Sequence, residues 1–175
     1  MSVAARTVRG MSMIGQYLRL TPAELERASR DPDWAAEHAH DLYGRDDAAA
    51  AARVHETDKA WNALDFLLTR RGFPVDVVFG EADMPWPAGS DWGYGPPRLL
   101  TAERVRAAVD ALEAHAPDAL ADGVAPADLA AANVYPQIVW ERGEELDWVV
   151  SHWAYLATYL RAAAREGDAL LLWIS

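Results

Sequence analysis

The 175-residue chain is 51% hydrophobic and 25% charged, the composition of a soluble globular protein of one-domain size and not of a disordered one. Its net charge of −11 argues against nucleic acid or an anionic membrane as partner, since both require clustered positive charge. The absence of cysteine removes disulfides, thiolate metal sites and cysteine nucleophiles.

Residues 1–10 read as a disordered leader: Arg6 and Arg9 occur there without the apolar run of a secretory signal. No stretch approaches the roughly 20 apolar residues a membrane span needs, so the cytoplasm is the expected compartment. Residues 11–20 alternate in places and predict a strand near the centre of a sheet. Thr21-Pro22-Ala23-Glu24 is a capping box with proline at the first helical position, opening a helix to about Arg30. Asp31-Pro32 caps a second helix that ends at Gly44. Residues 45–57 hold an alanine run of high helix propensity, with nothing before Val54 to fix it to a core.

The most informative stretch is 58–72, read as one helix begun by Asp58 and stopped by Gly72. At about 100° per residue, Ala60, Trp61, Leu64, Leu67 and Leu68 share an apolar arc, and Asp58, Asn62, Asp65 and Thr69 lie opposite. Phe66 falls outside that arc, between Lys59 and Arg70. A helix apolar on two sides calls for a second neighbour, either another chain segment or a ligand. Lys59 is the only lysine among sixteen basic residues. A pocket too tight for a guanidinium would explain that choice, with the ammonium held by a carboxylate or carbonyls beside Phe66.

Residues 73–97 are dense in proline and glycine. Residues 75–79 fit either a short strand or one helical turn. The remainder is expected to be a loop carrying Trp86 and Trp92, partly exposed and mobile over 84–92. Residues 98–100 look extended, and Thr101 caps a helix to about His115. Small helical pieces follow over 117–133, the second started by Pro126. The proline after Tyr135 forces that tyrosine into an extended conformation, and residues 138–140 are expected to form a strand. The longest helix runs over about 144–165 with a stripe of Leu146, Val149, Val150, Trp153, Leu156, Ala157 and Leu160, and Gly167 stops it. Residues 169–174 are an unbroken apolar run, as expected of a strand covered on both faces. The expected architecture is a single α+β domain, a small mixed sheet with helices on both faces.

Four motifs in chain order resemble the YfbM-like family of bacterial proteins: Met13-Ile14-Gly15, Asp58-Lys59-Ala60-Trp61 with Leu64, Leu67 and Leu68, Gly93-Tyr94-Gly95-Pro96 with Arg98-Leu99, and Tyr135-Pro136 with Trp140. The likeness spans nearly the whole chain from residue 11, departing at Asp65, where the family pattern leads one to expect an aromatic or a histidine. It implies a compact mixed α/β domain and supplies no activity, because the family's function is unknown.

No reaction emerges from the residues themselves. His38 and His40 lie two apart and diverge on a helix, and no other histidine has ligand company, so no metal site and no cofactor are expected. No Gly-x-Ser-x-Gly elbow occurs. The two prolines after Gly95 remove the N–H donors that a phosphate nest requires. Glu141, Glu144 and Glu145 are accounted for as acids near a helix start. What remains is a set of aromatic and polar-tipped residues on rigid pieces: Asp58, Lys59, Trp61, Tyr94, Arg98, Tyr135 and Trp140. If they converge they make an aromatic-walled ligand pocket with one or two cations; if they do not, they are cap, ion-pair and packing residues. Two functions follow. The first is a non-catalytic acidic interaction module for a protein partner, in an immunity or regulatory role. The second is a small-ligand-binding domain or small enzyme using the pocket around Lys59, Tyr94, Arg98 and Tyr135. Oligomeric state is open.

Overall fold

The computed structural model describes residues 12–84, 86–87 and 92–175, so the leader expected over residues 1–10 lies outside the described residues. Five strands form one sheet: β1 (Gly15–Leu20), β2 (Val54–Asp58), β3 (Ala82–Asp83), β4 (Arg98–Leu100) and β5 (Ala169–Ile174). Their order is β2-β1-β5-β4-β3. Every pairing is antiparallel, so the expected α+β class holds while the sheet is not mixed in strand direction.

Side chains alternate across this sheet, and helices cover both faces. Leu18, Leu171 and Leu99 stand in one cross-strand row. They pack under α1 (Pro22–Arg30), α2 (Pro32–Gly44) and α3 (Ala48–Ala51). On the opposite face His55, Tyr17, Leu172 and Arg98 make the neighbouring row. That face carries the larger core, built from α4 (Trp61–Arg70), α5 (Ala102–Ala111), α6 (Pro126–Ala131), α7 (Gln137–Glu141) and α8 (Asp147–Glu166). β5 is therefore buried at every position from Ala169 to Trp173, which is why its sequence shows no polar alternation.

The helices with strong end signals fall where the sequence puts them. Thr21 and Glu24 close the capping box on α1. Asp31 accepts from the Trp34 N–H at 3.0 Å, and Thr101 from the Arg104 N–H at 3.3 Å. Gly167, at φ 74°, ends α8 in the left-handed region that glycine tolerates.

Two expectations are corrected. First, Val54–Asp58 is a strand, and Asp58 is its last residue, at φ 46°, and not a helix cap. α4 starts at Trp61, after an Ala60 cap that makes no side-chain bond. The cause is a bulge in which the β1–β2 register shifts opposite Gly15 and Gln16. Thr57 is buried there, filling the space that a side chain at Gly15 would need. A Cβ on Gly15 would lie 2.3 Å from Thr57 Oγ1 and 2.9 Å from Trp61 Cβ.

Second, the segment expected as a strand over 138–140 is the short helix α7. A three-residue apolar run carries no period, and here only Trp140 enters the core while Ile138 is 51% exposed. The loop after β3 leaves its tryptophans partly exposed, as expected. Trp92 meets Trp173 edge-on at 5.0 Å, and the Trp86 indole donates to the Pro97 carbonyl at 3.0 Å. Both lie half-buried over the smaller core. Residues 75–79, open by sequence between strand and helical turn, form a single turn closed by the Gly80 N–H on the Asp76 carbonyl at 3.1 Å; Asp76 Oδ1 accepts from the N–H groups of Val78 at 3.1 Å and Phe79 at 2.8 Å.

Candidate functional site

Of the residues singled out by sequence, Trp61 and Tyr135 meet, and they meet as a latch. Their rings stack at 5.7 Å and 23°, and Phe79 stands edge-on against Trp61 at 5.7 Å. The Trp61 indole donates to the Met13 carbonyl at 3.1 Å, while the Met13 N–H donates to the Tyr135 hydroxyl at 3.1 Å. The Tyr135 N–H donates to Asn62 Oδ1 at 2.7 Å. These bonds pin the segment before β1 to α4 and to the residues just before α7.

The other five are dispersed. Trp140 is buried in the larger core and stacks on Trp148 at 5.6 Å and 10°. Arg98 donates to the Gly80 carbonyl at 3.2 Å and forms an ion pair with Asp83, joining β4 to β3. Tyr94 is 47% exposed; its backbone N–H donates to the Ile174 carbonyl at 2.8 Å. Asp58 is exposed, and its charge acts on His152. Lys59 is half-buried, but no hydrogen bond or ion pair to its ammonium occurs among the described residues, so the expected carboxylate or carbonyl partner is not there. No hydrogen bond, ion pair or ring contact links Lys59, Tyr94, Arg98 and Tyr135 to one another among the described residues.

Sequence reasoning missed two groupings. One lies behind edge strand β2, where His55 stacks on Tyr159 at 5.1 Å and packs against Tyr17 at 5.7 Å. Burial first, and the nearby His152 second, push the His55 imidazole down to about 4. Its Nε2 is buried and has no hydrogen-bond partner among the described residues. Burial also lowers His152, and the field of Asp58 opposes that shift. The inward positions of β2 are His55 and Thr57, so the strand lacks the alternating apolar signal that would have revealed it.

The other is the corner between α7 and α8. Glu141, Glu144, Glu145 and Asp147 are all exposed, and none forms an ion pair among the described residues. Arg142 is the cation among them and is likewise unpaired. Ile138 shares a helix face with Glu141, three residues on. The helix-start account covers Asp147, in the first turn of α8, but not Glu141, which sits at the unfavourable end of α7. The Trp140–Trp148 stack fixes the corner to the core.

A family model described as "Domain of unknown function (DUF1877)" matches residues 11–173. The chain belongs to this family. Among solved structures, the DUF1877 chain is similar to YfbM, a protein of unknown function from Escherichia coli, with a TM-score of 0.60 and 20% identity over 93% of this chain and 99% of that one. That likeness establishes the shared fold. No protein of curated function matches. Among the described residues of this DUF1877 protein, no group of three or more histidine, aspartate or glutamate side chains is placed to hold a metal ion. No helix there is long and apolar enough to cross a membrane.

Proposed function

We propose that this DUF1877 protein is a non-catalytic interaction module that docks a basic protein partner on the acidic corner between α7 and α8. The observation that supports this reading is the unpaired state of Glu141, Glu144, Glu145 and Asp147 on a rigid corner. Several acids elsewhere are neutralised within the fold, among them Asp168 by Arg19, Glu24 by Arg53, Glu81 by Arg104 and Asp83 by Arg98. Carboxylates left unpaired beside an exposed Ile138 suit a surface that a basic, partly apolar partner would complete. The pocket reading has less support, because no bond or ring contact joins Lys59, Tyr94, Arg98 and Tyr135 among the described residues.

The test is cross-linked capture from cells of the source organism with wild type and with a variant combining Glu141→Lys, Glu144→Lys and Glu145→Lys. A basic protein retained by wild type and lost by the folded charge-reversal variant supports the proposal. A partner held equally by both, or an acidic one, overturns it.

A further inference from the structure

The far side of α4 carries a second stripe that the core does not use. Asn62, Asp65, Phe66, Thr69 and Arg70 recur at helical spacing and face Ala132, Asn133 and Val134, the segment leaving α6. This segment is the second neighbour that Phe66 called for, and Phe66 packs half-buried beside it. It does not close the space. A groove of about 450 Å³ remains between the two.

The polar groups of this groove are left uncommitted in a patterned way. Asp65 is half-buried and forms neither hydrogen bond nor ion pair among the described residues. Burial, and then the charge of Asp76, pushes its carboxyl above the ordinary carboxylate range. Both causes would be relieved by a cation placed beside it. Arg70, exposed one turn and more further along, is also unpaired among the described residues. The two opposite charges thus sit in one groove without neutralising each other. About one turn before Asp65, Asn62 is oriented, because its Oδ1 accepts the Tyr135 N–H at 2.7 Å and leaves the amide NH₂ as the free donor end. Asn133 holds a left-handed backbone at φ 54°, and its side chain has no hydrogen bond among the described residues. Phe66 supplies an apolar wall.

We infer that this groove binds a small zwitterion, an amino acid or short peptide, with its ammonium on Asp65, its carboxylate on Arg70, and its apolar part against Phe66. A carboxylate needs a donor fork and an ammonium needs an acceptor, and the groove presents Arg70 and Asp65, five residues apart on one helix. A simple anion would leave Asp65 repelling it, and a simple cation would leave Arg70 doing the same. The inference is independent of the acidic corner, which shares no residue with it.

The test is a titration followed by the backbone amide resonances of α4 and of residues 132–134, using the standard free amino acids and the dipeptide Ala-Leu as probes. N-acetyl-leucine and leucine amide serve as controls that each lack one charge. The expected result is saturable movement of those resonances with at least one free amino acid or with the dipeptide, and none with the blocked controls. Asp65→Asn and Arg70→Gln should each weaken that binding about tenfold or more, the loss of one charge-assisted bond. Response to the dipeptide alone would assign the site to peptide termini, and response to a free amino acid would assign it to metabolites. No response from any probe, equal response to blocked controls, or resonances moving elsewhere would overturn the inference, and the wild-type arms decide this even if a variant fails to fold.

Discussion

At the residue scale, the two positions that most constrain the chain are a glycine and a histidine whose roles come from close approach. Gly15 gives up its side-chain space to the Thr57 hydroxyl and the Trp61 Cβ. Gly15→Ala should cost about 1–3 kcal/mol, the range for overpacking a filled site, as measured by chemical denaturation. Adding Thr57→Ala should recover part of that loss, because the contact at 2.3 Å disappears. His55 is neutral in the folded protein, with its ionisation pushed down to about 4 from an ordinary 6.5. Above 6.5 neither state binds the proton, and the stability is fully present. As pH falls from 6.5 towards 4, the unfolded chain takes up the proton and the folded chain does not, so up to about 3 kcal/mol is lost. His55→Phe keeps the stack on Tyr159 without an unpartnered Nε2. The variant should therefore lose less stability than wild type between pH 7 and pH 5, and parallel pH profiles would show that His55 is not the group responsible.

At the element scale, legibility follows the chemistry of the ends and the inward face. α1, α2, α5 and α8 were legible because Thr21, Asp31, Thr101 and Gly167 each satisfy or permit a specific backbone end. β5 was legible because both its faces are covered. β2 was not, since its inward side chains are His55 and Thr57, and what replaces apolar burial there is ring stacking and a bulge. α7 was misread because three apolar residues in a row fit either period. The stripe on α8 was assigned to the correct face: Trp153 is fully buried, donates to the His115 carbonyl at 3.0 Å and meets Phe73 edge-on at 5.3 Å. Trp153→Ala should cost about 3–5 kcal/mol, and an unchanged melting midpoint would contradict that packing.

At the scale of the whole molecule, the candidate site was less legible than the fold, because convergence depends on partners distant in sequence. Trp61 and Tyr135 come together through Met13, while Arg98 is taken by Asp83 and Trp140 by Trp148. Lys59 is half-buried as expected, but it lies in the turn before α4 and not on that helix, and the absence of a partner for its ammonium among the described residues was not legible. The helix-dipole account of the acidic corner fits Glu144 and Glu145, just before α8, but not Glu141 at the C-terminal end of α7. Net charge by itself reports solubility and steering. What turns it into a statement about a partner is where the unpaired carboxylates sit. The most direct measurement is the ionic-strength dependence of the dissociation constant for the captured partner, with wild type and with Glu141→Gln, Glu144→Gln and Glu145→Gln combined. Exposed charge pairs are screened over about 10 Å at 0.1 M salt. Wild-type affinity should therefore fall steeply with added salt and the glutamine variant's should be weaker and nearly flat, whereas equal affinity and equal salt dependence in both would contradict docking on the acidic corner.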